Sequence, residues 1–336
     1  MEDTKLETLL LEFEQAEDKQ ARVKKKTEIC YHLHAKRQID EARLHGEELL
    51  LLADEIGDKS CYCQILTLLA QGYLAQGKAE SAKEYLDKAL VIVEEIENPT
   101  LQGVINIAYA NLFYINGDFH QSLEWLLKAE KLFVLNDQTH RLPPLYENIA
   151  NIYLMLKKYD LAMDYYHKST DILKDSDERF RVFENIAMVY LHINDFKRAD
   201  YYATKAFKYF KDTDKKHNIA HCGCTLGLIK LNRKQYDNVL KYAHEALTQA
   251  LELKYEMVQF KALIVIAQAY LETDELDVAK GYLEQALELE STCYDKVYLK
   301  RFYENYGILL SKLNNHELAR MYNEKYEVVA KEIENF

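Results

Sequence analysis

The sequence is poor in the residues that break helices. Its 336 residues include only 10 glycines and 3 prolines, whereas hydrophobic residues make up 49% and charged residues 29%. The hydrophobic content is high enough for a packed core, so disorder is not expected. Pro99, Pro143 and Pro144 all fall outside the interiors of the predicted helices. This composition predicts an all-helical protein.

An excess of positive charge is also missing. The formal net charge is −12, which excludes a nucleic-acid surface, since phosphate contacts need clustered Lys and Arg. The same charge predicts no membrane partner, and no apolar run approaches the roughly 20 residues that span a bilayer. The N-terminus lacks the apolar core of a signal sequence. We therefore expect a cytoplasmic protein whose partner is a protein or peptide.

The six cysteines form no C-x-x-C pair, and a chain of this size does not need disulfides, so reduced thiols are predicted. His217 and His221 have the i, i+4 spacing of a zinc-binding helix. Cys222 and Cys224, however, point elsewhere around the same helix, and one helix cannot surround an ion. The sequence therefore predicts no metal site and no cofactor.

The motifs that signal catalysis are absent as well. The chain contains no G-x-x-x-x-G-K-[ST], G-x-G-x-x-G, H-E-x-x-H or G-x-S-x-G segment. Carboxylate pairs are numerous, but on strongly charged helices they normally face solvent. Because no nucleophile and base converge, the sequence predicts a binding protein without catalytic residues and not an enzyme.

What the sequence does contain is a repeat. A small residue returns at spacings of 40, with one spacing of 37. A constant period in this range is typical of a solenoid, in which each unit buries its apolar face against its neighbours. The recurring positions are Ala42, Ala82, Ser122, Ala162, Ala199, Val239, Ala279 and Ala319.

Two further positions recur with the same period. Twelve residues before each of these anchors lies a second small residue, which predicts a close crossing of two helices. Five residues before each anchor lies a predicted turn, where five of eight residues are Gly, Asn or Asp, types that tolerate left-handed backbone geometry. The turn residues are Arg37, Gly77, Gly117, Lys157, Asn194, Lys234, Asp274 and Asn314.

These phrases resemble the tetratricopeptide repeat, most closely in LAQGYLAQGKAESAKEYLDKAL, IANIYLMLKKYDLAMDYYHKS and IAQAYLETDELDVAKGYLEQAL. The long period is similar to that of the Rap and PlcR peptide receptors and of bacterial sensor arrays. The resemblance implies an all-α, right-handed superhelical solenoid of about eight helix-turn-helix units over residues 22–336. Residues 1–21 are expected to form a capping helix. The units are expected near 22–58, 59–98, 99–138, 143–175, 178–214, 217–255, 257–292 and 296–336.

The resemblance also implies where a ligand binds. In this family the first helix of each unit lines the concave groove through its second, fifth, sixth and ninth motif positions. Amides at such positions can bind a peptide backbone whatever its sequence, and Arg next to Asn on one face can bind a carboxylate or carbonyl. The alternative is that these amides bond to a neighbouring helix or to water. The candidate groove residues are Asn111, Asn148, Asn151, Arg181, Asn185, Gln268, Arg301 and Asn305.

Three functions remain open at this point. The first is capture of an extended peptide or partner segment in the groove, in signalling or regulation. The second is the sensory region of a larger diguanylate cyclase or histidine kinase, because the amphipathic segment YNEKYEVVAKEIENF can continue into a coiled-coil linker. The third is a scaffold that uses the convex face. Residues 1–21 are too short for the N-terminal module of Rap or PlcR proteins, and the sequence leaves the oligomeric state open.

Overall fold

The computed structural model describes residues 4–36, 38–293 and 295–334. The described residues form seventeen α-helices, two short 3-10 helices and no strand, which confirms the all-helical prediction. The chain divides into two compact units, residues 1–156 and residues 157–336. The boundary falls within the predicted fourth repeat, between its two helices. No helix among the described residues is long and apolar enough to cross a membrane.

The first unit contains eight α-helices and a 3-10 helix. Consecutive helices pack against each other, as expected for hairpins with short turns. The helices are α1 (Thr4–Gln15), α2 (Lys19–Ala35), α3 (Ile39–Ile56), α4 (Lys59–Ala75), α5 (Ala79–Glu95), α6 (Pro99–Ile115), α7 (Phe119–Leu135) and α8 (Leu142–Met155), with the 3-10 helix at Thr139–Arg141.

The second unit contains nine α-helices and a second 3-10 helix, again with hairpin partners packed together. They are α9 (Tyr159–Ile172), α10 (Arg179–His192), α11 (Phe196–Asp212), α12 (Lys216–Asn232), α13 (Tyr236–Glu252), α14 (Glu256–Glu272), α15 (Leu276–Glu288), α16 (Lys296–Lys312) and α17 (His316–Glu334), with the 3-10 helix at Glu290–Thr292.

Helix length explains the repeat period. Most of the helices have 17 residues, and three-residue links join α4, α5, α6 and α7, which together give a period of 40. Between Ala162 and Ala199, where the spacing drops to 37, α9 and α10 have only 14 residues each. The helices are thus close to five turns long in most repeats.

The small residues lie where the helices cross, as predicted. All eight anchors are buried, and so are the small residues twelve positions earlier. Ser122 fits this pattern because its hydroxyl donates a hydrogen bond of 2.8 Å to the carbonyl oxygen of Ala110. Larger rings fill the space beside the crossing, where Tyr73 stacks on Tyr85 at 5.3 Å between ring centroids. The tyrosine-rich composition therefore serves packing to a large extent.

The turn residues adopt the left-handed geometry that their types predict. Gly77, Gly117, Lys157, Asn194, Lys234, Asp274 and Asn314 all have positive φ angles. Arg37, the eighth predicted turn residue, lies outside the described residues. Because glycine is scarce, charged and amide side chains occupy most of these turns, and Lys carries more strain there than Asn, Asp or Gly.

Ion pairs at 36-residue spacing join the two ends of several hairpins. In each case a Lys that begins a first helix pairs with a Glu in the last turn of the following second helix. Lys19 pairs with Glu55 at 2.7 Å, Lys59 with Glu95 at 2.6 Å and Lys296 with Glu332 at 3.2 Å, and a similar pair joins the ends of α12 and α13. These pairs are exposed, so each contributes at most about 1 kcal/mol.

A glycine at one crossing should be intolerant of even a methyl group. A Cβ atom on Gly223 would lie 2.9 Å from the Tyr242 carbonyl oxygen and 2.9 Å from the Ala246 Cβ, whereas a Cβ on Gly281 would meet nothing within 4 Å. We expect Gly223→Ala to lower the free energy of unfolding by about 1 kcal/mol. Gly281→Ala should raise it by about 0.5–1 kcal/mol, because alanine favours the helix. Urea denaturation of both variants measures the contrast, and equal effects would refute the close crossing.

Glycine, which is scarce in this sequence, should stabilise one of the turns. Lys234 has a φ of 54°, a region that costs a non-glycine residue about 1 kcal/mol. Lys234→Gly is therefore expected to raise the free energy of unfolding by about 0.5–1 kcal/mol. The matched control is Lys208→Gly, at an exposed position inside α11, which should lower it by a similar amount. Thermal denaturation monitored by circular dichroism shows whether each variant is more or less stable than wild type.

Candidate functional site

In the second unit, the first helices of successive hairpins lie side by side, with α10 against α12, α12 against α14 and α14 against α16. Residues 40 apart on these helices therefore form a row. We call this surface the second first-helix face, meaning the face formed by the first helices of the hairpins in the second unit. It is defined by the residues at the groove positions of these four helices. Its polar members are Arg181, Glu184, Asn185, His221, Thr225, Lys261, Gln268, Arg301, Glu304 and Asn305.

Two of the predicted groove residues are in direct contact. A guanidinium nitrogen of Arg301 donates a hydrogen bond of 2.7 Å to Oε1 of Gln268. The Nε2 amino group of Gln268 in turn donates to Oε1 of Glu272 at 3.2 Å. Among the described residues no carboxylate forms an ion pair with Arg301 itself. Its half-buried charge is thus held in place by a neutral partner, and its other N–H groups can still bind an anion.

Asn305, one helical turn after Arg301, is more buried than a groove residue is expected to be. Only 2% of its surface is exposed. Its Nδ2 amino group is enclosed, with no acceptor within hydrogen-bond distance in the described part of the chain. A buried donor without an acceptor is unfavourable by about 1–3 kcal/mol. Asn185, at the same motif position in α10, is half-buried, and Arg181 is exposed.

The lysine of this face, Lys261, is already paired with a carboxylate. Lys261 forms an ion pair of 2.6 Å with Asp295, whose other oxygen accepts hydrogen bonds from the backbone N–H groups that begin α16. The Lys261 ammonium also lies 4.5 Å from the centre of the Tyr298 ring. Burial lowers the pKa of Lys261, but the attraction of Asp295 outweighs it and leaves the pKa raised. Lys261 therefore stays charged and paired.

Glu184 is a functional candidate that the sequence prediction missed. Burial raises the pKa of this carboxyl group to about 7, although a hydrogen bond from Thr225 and the charge of Lys261 both act to lower it. The Thr225 hydroxyl lies 3.4 Å from Oε1 of Glu184. A signal did exist, because an aromatic residue, Glu and Asn occur in this order in α8, α10 and α16, with Glu147, Glu184 and Glu304 at the centre. By exposed surface Glu147 is buried, whereas Glu184 is half-buried.

The corresponding face of the first unit is chemically different. Its predicted residues are Asn111, which is exposed on α6, and Asn148 and Asn151, which are half-buried on α8. At the position that carries a basic residue in α10, α12, α14 and α16, the first unit has Lys24 in α2, Gln64 in α4, Val104 in α6 and Pro144 in α8. The eight predicted groove residues thus divide into three in the first unit and five in the second. The predicted residues of the first unit are all neutral amides, whereas those of the second include Arg181 and Arg301.

The cluster considered as a metal site separates into two environments. His217 and His221 lie 5.0 Å apart between ring centroids and both pack on Tyr255. The Cys222 thiol instead donates to the buried Ala203 carbonyl oxygen, and Cys224 is likewise buried, which raises the pKa of its thiol to about 12. In the part of the chain that the structure describes, no three His, Cys, Asp or Glu side chains are placed to hold a metal ion.

Comparison with known proteins identifies the repeats. The family model described as Tetratricopeptide repeat matches residues 64–91, 143–172 and 260–293. These three segments are therefore tetratricopeptide repeats, as their phrases predict. No protein of curated function matches the chain by sequence.

Solved structures show the same fold. The apo form of RapI has a TM-score of 0.66 at 14% identity, covering 82% of this chain and 99% of RapI. A Rap protein complexed with competence and sporulation factor has a TM-score of 0.62 at 14% identity, covering 93% and 98% of the two chains. The apo quorum sensor NprR from B. thuringiensis has a TM-score of 0.59 at 16% identity, covering 93% and 100%. These likenesses confirm the predicted tetratricopeptide-repeat fold.

The raised pKa of Glu184 makes stability depend on pH. Between its unfolded pKa of about 4.5 and its folded pKa of about 7, the folded state holds a proton that the unfolded state has lost. The contribution of Glu184 to the free energy of unfolding therefore falls as the pH rises from about 4.5 to about 7. Glu184→Gln should remove this loss and be more stable than wild type by about 2 kcal/mol at pH 8, but not at pH 4.

Urea denaturation at pH 4, 6 and 8 measures this difference. Thr225→Val is the companion variant, because loss of its hydrogen bond to Glu184 should raise the pKa of that carboxyl further. As the pH rises, the free energy of unfolding of Thr225→Val should therefore continue to fall up to a higher pH than that of wild type before it levels off. A constant difference between Glu184→Gln and wild type across the three pH values would contradict the assignment.

Proposed function

We propose that this chain binds an extended peptide, or an extended segment of a partner protein, along its first-helix faces, and that it acts by binding and not as an enzyme. The observation that carries the proposal is the recurrence of hydrogen-bonding side chains at matched positions of successive first helices, including Asn148, Asn185 and Gln268. We further propose a cytoplasmic role in signalling or regulation.

The chemistry of these side chains suits an extended ligand. An amide side chain has one acceptor and two donor hydrogens, so it can pair with both the N–H and the C=O of a peptide backbone. Amides that recur from one repeat to the next can therefore hold successive residues without reading their side chains. Asparagine is also a poor residue for the interior of a helix, so its recurrence there favours a role in binding.

The similar structures support the same reading. One of them is a Rap protein complexed with competence and sporulation factor, and another is described as a quorum sensor. Both share the fold and nearly the whole length of this chain. At identities of 14% and 16% the likeness is one of fold, and it does not indicate which peptide this chain binds.

The proposal is tested with a pool of random-sequence, N-acetylated heptapeptides with free C-termini. Immobilised wild-type protein is expected to retain a subset of the pool, identified by mass spectrometry. The double variant Asn148→Ala/Asn185→Ala should reduce retention at least tenfold. Each substitution removes a neutral hydrogen-bonding group that contributes about 1 kcal/mol to binding. Helical content, measured by circular dichroism, should stay as in wild type.

The matched control exchanges two asparagines that lie outside the faces. Asn136→Ala at the end of α7 and Asn238→Ala on α13 change the same chemistry, one in each unit, at exposed positions of second helices. Retention by this control should match that of wild type. Equal retention by the wild type and the Asn148/Asn185 double variant would show that these amides do not contribute to binding.

A further inference from the structure

One second helix of the second unit carries a charge opposite to that of the others. Helix α11 contains five Lys or Arg residues and two Asp residues. In contrast, α9, α13, α15 and α17 each contain two more acidic than basic residues. Helix α11 is thus a local centre of positive charge in a chain whose net charge is −12.

Three of these lysines lie with a tyrosine on one exposed side of α11. Lys197, Tyr201, Lys205 and Lys208 are exposed, and spacings of four, four and three residues place them along one side of the helix. We call these four residues the α11 basic face, which is about 17 Å long by the rise of a helix. Tyr201 is 54% exposed, and the Lys205 ammonium lies 4.6 Å from the centre of its ring.

The carboxylates around the α11 basic face do not neutralise it. Among the described residues none forms an ion pair with its three lysines. Asp200, also on α11, pairs instead with Lys230 and Arg233 of α12, at 2.6 Å for Lys230. Glu245 of α13 pairs with Lys211 at 3.0 Å. The ammonium groups of the face therefore remain available to an external anion.

The position of Lys197 indicates that the charge of this face does not serve the stability of α11. Two residues before the anchor, in the first turn of the second helix, the other second helices of this unit have a carboxylate, at Asp160, Asp237, Asp277 and Glu317. A carboxylate is favourable there because the N-terminal end of a helix carries partial positive charge. Lys197 breaks this rule, and such local conflicts are typical of residues with a role in function.

The dimensions of the face favour an acidic protein segment over other anions. A nucleic acid or an anionic membrane needs clustered cations over a wider area, and would also meet the acidic helix α13 beside α11. A single helix or strand can instead lie along a face that is one helix wide. Tyr201 adds an exposed ring of the kind that is enriched at protein interfaces.

We propose that the α11 basic face docks an acidic segment of a partner protein. Asp or Glu side chains of the segment pair with Lys197, Lys205 and Lys208, and an apolar side chain of the segment packs on Tyr201. This surface belongs to a second helix, so it is separate from the first-helix faces and does not depend on the proposed function.

Two pools of random twelve-residue peptides, N-acetylated and C-amidated, test the surface on the immobilised full chain. The acidic pool has Asp or Glu at four positions, and the neutral pool has Asn or Gln at the same positions. Wild type should retain the acidic pool at least tenfold better than the neutral pool. This preference should shrink as the salt concentration is raised, because exposed charges are screened.

A triple variant assigns the preference to α11. Lys197→Gln/Lys205→Gln/Lys208→Gln should abolish it, while the melting temperature stays equal to that of wild type or rises, because a cation leaves the first turn of the helix. A lower melting temperature together with an unchanged preference would instead give these lysines a structural role and overturn the proposal.

The matched control removes the same charge from the other second helices. Lys241→Gln/Lys280→Gln/Lys331→Gln changes exposed positions on α13, α15 and α17. It should preserve the preference for the acidic pool. A loss equal to that of the α11 triple variant would show that only the net charge matters, which overturns the assignment to α11.

Further outcomes separate this surface from the first-helix faces and from self-association. Equal retention of the two pools by wild type overturns the proposal. The Asn148/Asn185 double variant should prefer the acidic pool as wild type does, and loss of the preference there would place the acidic peptides on the first-helix faces. Sedimentation velocity at low salt should show no dimer that the α11 triple variant abolishes, since such a dimer would make the occupant a second copy of this chain.

Discussion

The close approach of two helices at small residues is the contact on which the structure depends. At Gly223 the facing helix comes so near that a methyl group would touch a backbone carbonyl oxygen. At the anchor positions of all eight repeats, an Ala, Ser or Val is buried. Because each repeat contacts mainly its neighbours, the array needs this crossing in every hairpin, and no distant contact can replace it.

The crossing also decides which residues are available for binding. A helix that buries its small residues against its hairpin partner must turn other positions away from that partner. On first helices these are the positions of Arg181, Gln268 and Arg301. The groove chemistry can therefore vary from repeat to repeat while the packing stays constant. The two units illustrate this, because the predicted groove residues of the first are all amides and those of the second include two arginines.

Most of the fold could be predicted from the sequence because it follows from local, periodic features. The small residues, the turn residues and the period together specify the hairpins, the helix crossings and the helix lengths. A turn residue such as Gly77 or Asn194 identifies its turn without any knowledge of the rest of the chain. The division of the chain between α8 and α9 carries no such local mark. It depends on the relative density of contacts, which a repeat pattern does not reveal.

The candidate site was less predictable because its properties arise between repeats. The positions of Gln268 and Arg301 follow from the motif, but the hydrogen bond between them depends on the offset of α14 and α16. The raised pKa of Glu184 depends on burial by neighbouring helices, and the motif pattern alone placed more weight on the adjacent Asn185. The enclosure of Asn305 is also a property of packing and not of the residue type.

The Lys–Glu pairs that close several hairpins have a consequence for the history of the chain. Each pair spans 36 residues, so both partners belong to one repeat, and duplication of a whole repeat copies the pair intact. A gain or loss of a few residues within a hairpin would instead separate the partners and displace the crossing. Genes of this kind are therefore expected to lengthen by recombination in whole modules, with each new copy free to acquire its own groove side chains.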